Sequence, residues 1–140
     1  MLYAVISALF AGMTSVFAKV GLAGISADLG LAVRTSFVFV FVLLFAAVVV
    51  PRTELRQLSG HNVLWLAVSA TTTACSWIFY YKALGSGEVS TIALIDKGSV
   101  LVAITCAVLF LGEALTLQKV LGALLIVVGL LVIAKAPLAL

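Results

Sequence analysis

Charge is what this sequence has least of. Lysine and arginine total 8 and aspartate and glutamate 5, together 9% of 140 residues. A soluble domain carries about 25%, and so few charges cannot cover the surface of a soluble fold. Disorder is excluded as well, because it needs low hydrophobicity and high charge. Histidine occurs once and cysteine twice, which rules out a disulfide scaffold or a metal cluster. Cys75 and Cys106 both lie in apolar runs, where a thiol behaves as a small hydrophobe and reports nothing about redox compartment. The net charge of +3 is small and dispersed, so no nucleic-acid partner is expected. Catalytic chemistry is missing too. The single histidine, His61, stands at a loop edge, no nucleophile has a base beside it, and no nucleotide loop, metal motif or haem pattern occurs. Neither an enzyme nor a bound cofactor is expected.

What is present is apolar. Alanine, aliphatic, aromatic, methionine and cysteine residues make up 65% before glycine is counted, against about 45–50% in a soluble domain with glycine included. The expected class is an integral membrane protein. A spanning helix needs about 20 mostly apolar residues, and five segments qualify: residues 2–23, 29–50, 62–84, 90–111 and 117–136. The first is long for a signal-peptide core and has no basic residue before it, so it reads as a membrane helix. Three connectors, GISAD, GSGEV and GEALT, are short and force antiparallel neighbours. Only residues 51–61 form a longer link; Pro51 opens it by ending the backbone ladder. Backbone groups in lipid must be satisfied internally, so the segments are helices. The expected fold is an all-α bundle of five transmembrane helices in one domain, residues 1–140, with termini on opposite sides. Ala67, Ala70 and Ala74, and Gly122 and Gly129, suit close helix packing.

The positive-inside rule gives no firm orientation. One side carries Arg52, Arg56 and Lys119; the other carries Lys19, Arg34, Lys82 and Lys135, with Lys97 at depth. Orientation normally follows a clear excess of Lys and Arg on cytoplasmic loops.

Candidate binding residues are the polar groups inside the spans. Asp96 and Lys97 sit about a turn and a half into the fourth helix, where a charge costs about 2.5–3.5 kcal/mol on insertion scales. Neighbouring residues on a helix do not face each other, so the two take different partners. Lys can snorkel along its stem; Asp has no such stem. Lys19 near the end of helix one and Arg34 near the start of helix two belong to the same membrane face. The four residues sum to +2, so Asp96 can neutralise Arg34 or Lys19 and leave a cationic surplus suited to a carboxylate or phosphate. Helix three supplies Thr73, Ser76, Trp77, Tyr80 and Tyr81, either as an interfacial aromatic belt or as the wall of a substrate cavity. Glu113 reads as structural, with Thr116 as a helix N-cap.

The runs FAKVGL (17–22), AVRTSF (32–37), SWIFYYKALGSGEVSTIALIDKGSV (76–100) and LFLGEALTLQKVLGALLIVVGLLVIA (109–134) resemble the EamA domain of the drug/metabolite transporter superfamily. The likeness covers nearly the whole chain and is closest to short, single-repeat bacterial and archaeal members of about five helices. It implies secondary transport, commonly export of metabolites, amino acids or drugs across the inner membrane. Most such proteins carry two repeats of opposite orientation; this chain has one. Similar sequences often have a proline where this one has Leu94 and a leucine where it has Gly98.

The leading reading is an inner-membrane exporter of small metabolites such as amino acids or organic anions and zwitterions. Its substrate site is expected to use Lys19, Arg34, Thr73, Ser76, Trp77, Tyr80, Asp96 and Lys97, with lipid and a small molecule as partners. The alternatives are a flippase for a phosphate-bearing lipid and a non-transporting scaffold subunit, the latter disfavoured by a costly Asp in hydrocarbon. A small multidrug-cation exporter is disfavoured because the first helix holds Lys19 and no acid. Half of a two-repeat unit calls for a second copy, so a homodimer is expected, antiparallel if the weak charge bias lets the chain insert both ways.

Overall fold

The computed structural model describes residues 1–135, and every regular element among them is helical: α1 (Leu2–Gly21), α2 (Ala27–Val49), α3 (Arg52–Leu55), α4 (Gly60–Ser86), α5 (Val89–Asp96), α6 (Ser99–Leu111) and α7 (Leu117–Lys135). Five runs among them are long and apolar enough to cross a membrane: Leu2–Gly21, Ala27–Val49, Gly60–Ser86, Val89–Leu111 and Leu117–Ala134. These are the five spans expected from the sequence, with bounds shifted by about two residues. Ala136, the expected end of the fifth, lies outside the described residues. The chain divides into two compact units, Met1–Ser86 and Gly87–Leu140.

In the first unit, local chemistry sets each helix end. Gly24 turns the chain after α1 with φ +78°, a left-handed conformation that only glycine adopts without penalty. The Leu22 side chain is buried against Gly30, filling the place a Cβ would take there. Ser26 then caps α2, its hydroxyl accepting from the Leu29 N–H at 3.3 Å, and satisfies one of the first-turn donors. Pro51 follows the end of α2. The single turn α3 occupies the link, and Ser59 caps α4 by accepting from Asn62 N–H at 3.2 Å.

Two side-chain bonds join α1 to α4. The Tyr80 hydroxyl donates to Ser15 Oγ at 2.6 Å, and the Lys19 ammonium donates to the Leu84 carbonyl at 2.6 Å. Both pairs are 65 residues apart in sequence, so the helices run parallel. Helix α2 runs against α4 in the opposite sense: Asp28 faces Lys82, Ala27 approaches Gly85, and Arg34 meets Trp77. Tyr81 and Leu84 are buried here, at 4% and 0% exposure. Long apolar residues elsewhere on these helices stay exposed. Lipid tails are as apolar as leucine, so membrane helices associate through packing and hydrogen bonds rather than through burial from water.

In the second unit the fourth span is not one helix. At its break the N–H groups of Lys97 and Gly98 bond the Leu94 and Ile95 carbonyls at 3.1 and 2.9 Å, and those of Val100 and Leu101 bond Lys97 and Gly98 at 3.1 and 3.0 Å. The ladder has slipped from i→i−4 to the tighter i→i−3 spacing. Gly98 lies against Leu130 of α7. The hairpin between α6 and α7 is held at its tip. Gly112 turns at φ +66°, Thr116 Oγ1 accepts from Lys119 N–H at 3.4 Å, and Lys119 Nζ bonds Glu113 at 2.9 Å and the Ala114 carbonyl at 3.2 Å. Glu113 and Thr116 thus take the structural roles expected of them. Gly112→Ala is expected to lower stability by about 1–2 kcal/mol, the cost of holding an L-residue in the left-handed region. Thermal unfolding in detergent measures it; unchanged stability would show that the tip tolerates a Cβ.

Candidate substrate site

Arg34 is the centre of the candidate site. It lies two turns into α2 and is partly buried. Its guanidinium carbon sits 4.4 Å from the Trp77 ring centroid and 5.8 Å from that of Tyr81. A cation over an aromatic face gains about 2 kcal/mol when desolvated. The contact holds the charge in place without neutralising it. Asp28, an acid of the same helix, stands 3.9 Å from Lys82, both side chains well exposed, and such a pair contributes little. Arg34 Nη1 is buried and has no hydrogen-bond partner among the described residues. A buried donor without an acceptor costs roughly 1–3 kcal/mol, more when charged. The guanidinium therefore presents a fixed, dry donor with unused capacity, and a planar carboxylate matches its fork geometry.

Helix α4 divides its aromatic residues between two tasks. Trp77 and Tyr81 are four apart and share a face, which meets Arg34. Tyr80 points elsewhere, to Ser15 of α1, and that hydroxyl bond sets how deeply α1 seats. Lys19 works beside it. The Leu84 carbonyl is one of the last in α4, where the helix has no further N–H of its own to offer, and the Lys19 ammonium supplies the donor.

A groove of about 620 Å³ runs along the α2–α4 seam, within the size range of small-molecule sites, roughly 300–1,000 Å³. Ala32, Ala70 and Ala74 make it hollow, Thr35 and Thr73 give it hydroxyls, and Trp77 forms part of its wall. Thr73 donates to the Ser69 carbonyl at 2.8 Å, so its oxygen faces the groove as an acceptor only. Trp77 thus serves both the groove and Arg34. Ser76 is exposed on α4 and makes no side-chain hydrogen bond among the described residues.

The first unit therefore places Thr73 and Trp77 on the groove and Arg34 against Trp77, outside the groove's own lining, with Lys19 and Tyr80 fastening α1 to α4. Asp96 and Lys97 belong to the second unit. Asp96 is the last residue of α5 and is partly buried; Lys97 lies in the break and is exposed. Neither side chain makes a hydrogen bond or ion pair with a described residue. Tyr81, read from the sequence with the aromatic set of helix three, is the second ring under Arg34, four residues from Trp77. Ser15, the anchor of Tyr80, escapes a reading by residue type, because a serine inside an apolar run gives no signal.

Comparison with known proteins agrees with this architecture. Residues 1–135 match the EamA-like transporter family. Over 132 residues the chain is 36% identical to an uncharacterized transporter in the cobO 3' region of Sinorhizobium sp, with 94% of each protein covered. No solved structure gives a significant match. The family match spans all the membrane-crossing helices, including both halves of the broken one: the chain belongs to the EamA-like transporter family and is a multi-pass membrane transporter, not an enzyme.

Proposed function

We propose that this protein is a secondary transporter of the inner membrane that exports small organic anions or zwitterions such as amino acids. The observation that carries the reading is the buried, unpaired Nη1 of Arg34, held on Trp77 beside a groove of small-molecule size. A substrate carboxylate supplies the acceptor this donor lacks, and its side chain finds apolar surface along Ala32, Ala70 and Ala74. Lys19 and Tyr80 contribute by fixing α1 against α4. The test is flux into vesicles reconstituted with the purified chain, screened with anionic, zwitterionic and cationic metabolites. Saturable flux of carboxylates is expected. Flux of cations alone would overturn the reading, and flux restricted to phosphate-bearing lipid analogues would replace it with a flippase.

The working unit in this proposal is a dimer that exchanges access between the two sides by rocking one copy against the other. Five spans are half of the two-repeat arrangement, and one wall of the substrate path is missing from a single copy. An antiparallel pair restores it in the inverted sense, and the balanced Lys and Arg distribution lets the chain insert both ways. With five spans the two termini fall on opposite sides. A single cysteine introduced into residues 52–60 is expected to label about equally from both faces of intact cells, as an unbiased chain inserts. Labelling from one face alone would exclude the antiparallel homodimer.

A further inference from the structure

The α2–α4 groove carries one charge in its described lining, and that charge is negative. Asp28 lines the groove together with Thr35, Thr73 and Trp77, whereas Arg34 stands outside the lining, on the Trp77 ring. Asp28 is the second residue of α2, a helix long and apolar enough to span, so it stands at the membrane face. Thr35 lies about 10 Å further along the helix axis. The groove thus runs from that face into the bilayer with an acid at its mouth. We propose that the Asp28 carboxylate receives the ammonium group of an amino acid with an apolar side chain, so that the transporter selects zwitterions over simple carboxylates. This role rests on the carboxylate reading above and adds recognition of the substrate's second charge to it.

The acid is available to a ligand. Its side chain is 73% exposed, accepts no hydrogen bond among the described residues, and faces Lys82 at 3.9 Å. An exposed ion pair of that length contributes little. Lys82 must also freeze a flexible four-carbon stem to hold Asp28, whereas the ammonium of an amino acid sits directly on its carbon frame. Cation and acid converge on the same level of α4. Helical side chains lean toward the N-terminus of their own helix, so Arg34 reaches back along α2 toward Asp28. Its guanidinium lies 5.8 Å from the Tyr81 ring centroid, and Tyr81 adjoins Lys82, the residue that Asp28 faces. A carboxylate drawn to Arg34 therefore carries its ammonium toward the acid.

The rest of the lining suits what remains of such a molecule. Thr73 has given its hydrogen to the Ser69 carbonyl and offers an acceptor. Thr35 makes no side-chain hydrogen bond among the described residues and keeps both donor and acceptor. Ala32, Ala70 and Ala74 leave apolar room for the side chain. A carboxylate that lacks an ammonium meets like charge at the mouth, and specificity gains as much from such a repulsive contact as from an attractive one. A first-turn acid also complements the helix dipole. That structural use alone predicts a change in stability when Asp28 is neutralised, with no change in the choice between ligands.

The test is titration calorimetry of the full chain in nanodiscs with three ligands that share one side chain: leucine, 4-methylpentanoate, which lacks the ammonium, and 3-methylbutylamine, which lacks the carboxylate. Leucine is expected to bind about tenfold or more tighter than 4-methylpentanoate, the contribution of a hydrogen bond to a charged group. Asp28→Asn is expected to bring the two within about twofold by weakening leucine alone, and Asp28→Glu to recover part of the preference. Lys82→Gln is expected to keep the preference, since it leaves the carboxylate in place. A preference that survives in Asp28→Asn overturns the proposal, as does equal weakening of both ligands in that variant. So does a wild type that binds leucine and 4-methylpentanoate alike or binds no leucine, or loss of the preference in Lys82→Gln. The carboxylate reading fails separately: 3-methylbutylamine bound as tightly as leucine removes the need for a carboxylate and for Arg34, while the effect of Asp28→Asn on leucine still decides the role of Asp28.

Discussion

Arg34→Ala is expected to reduce carboxylate transport by about 30-fold to several thousand-fold, since truncating one partner of a desolvated, hydrogen-bonded charge pair costs roughly 2–5 kcal/mol. The loss should appear in initial rates in proteoliposomes at subsaturating substrate. Protein yield and thermal stability should hold, because the side chain leaves behind no buried charge of opposite sign; its neighbours are the faces of Trp77 and Tyr81. Arg34→Lys is expected to fall between the two. It keeps the charge but loses the planar fork and the stacking surface. Transport of a carboxylate at the wild-type rate by Arg34→Ala would remove Arg34 from the site and with it the basis of the anion reading.

Gly98→Leu is the second large effect. A Cβ built on Gly98 lies 3.0 Å from the Ile95 carbonyl oxygen and 3.2 Å from Leu130 Cδ1, tighter than ordinary contact, and the rest of a leucine must go further into the same space. Overpacking of this kind costs about 1–3 kcal/mol. Transport is expected to fall with stability, because the tight turn that joins α5 to α6 beside α7 is the part displaced. Leu130→Ala in the same chain should restore stability, the coupling between touching residues being about 0.5–3 kcal/mol. A double variant no more stable than the single one would show that the constraint at Gly98 does not come from α7.

The helices were legible in the sequence because membrane insertion is decided by long averages. Runs of about 20 apolar residues bounded by Pro51, Gly85 and Gly112 leave little room for error, and residues 62–84 become Gly60–Ser86 in the structure. Single turns do not survive averaging, so α3 went unseen. The break at Lys97–Gly98 was hidden for a related reason. A run read as continuous from residue 90 to 111 carries no proline, and one slipped turn leaves its hydropathy unchanged. The site was legible as a list and not as an arrangement. Residue type and depth point to Arg34, Trp77, Tyr80 and Asp96, but the contact of Arg34 with Trp77 depends on the register of α2 against α4, which no local pattern fixes. Neighbouring Tyr80 and Tyr81 look interchangeable in sequence. Packing separates them, sending one to Ser15 and the other beneath the guanidinium.

The constant spacing of 65 residues between bonded positions on α1 and α4 has a mechanical consequence. It aligns Leu2 with Ala67, so residues 60–66 extend past the start of α1 by about 10 Å. At about 30 Å, α1 just matches the hydrocarbon thickness of an average bilayer, while α4, at 27 residues, has length in reserve. His61 and Asn62 lie on that overhang, followed by Trp65, a residue suited to the headgroup level. A thicker bilayer draws the overhang of α4 inward but finds no slack in α1, and the strain passes into the Tyr80–Ser15 and Lys19–Leu84 bonds that tie the two. Lipid chain length thus becomes a handle on the helix pair that carries Trp77, felt through hydrophobic mismatch at about a fraction of a kcal/mol per Å.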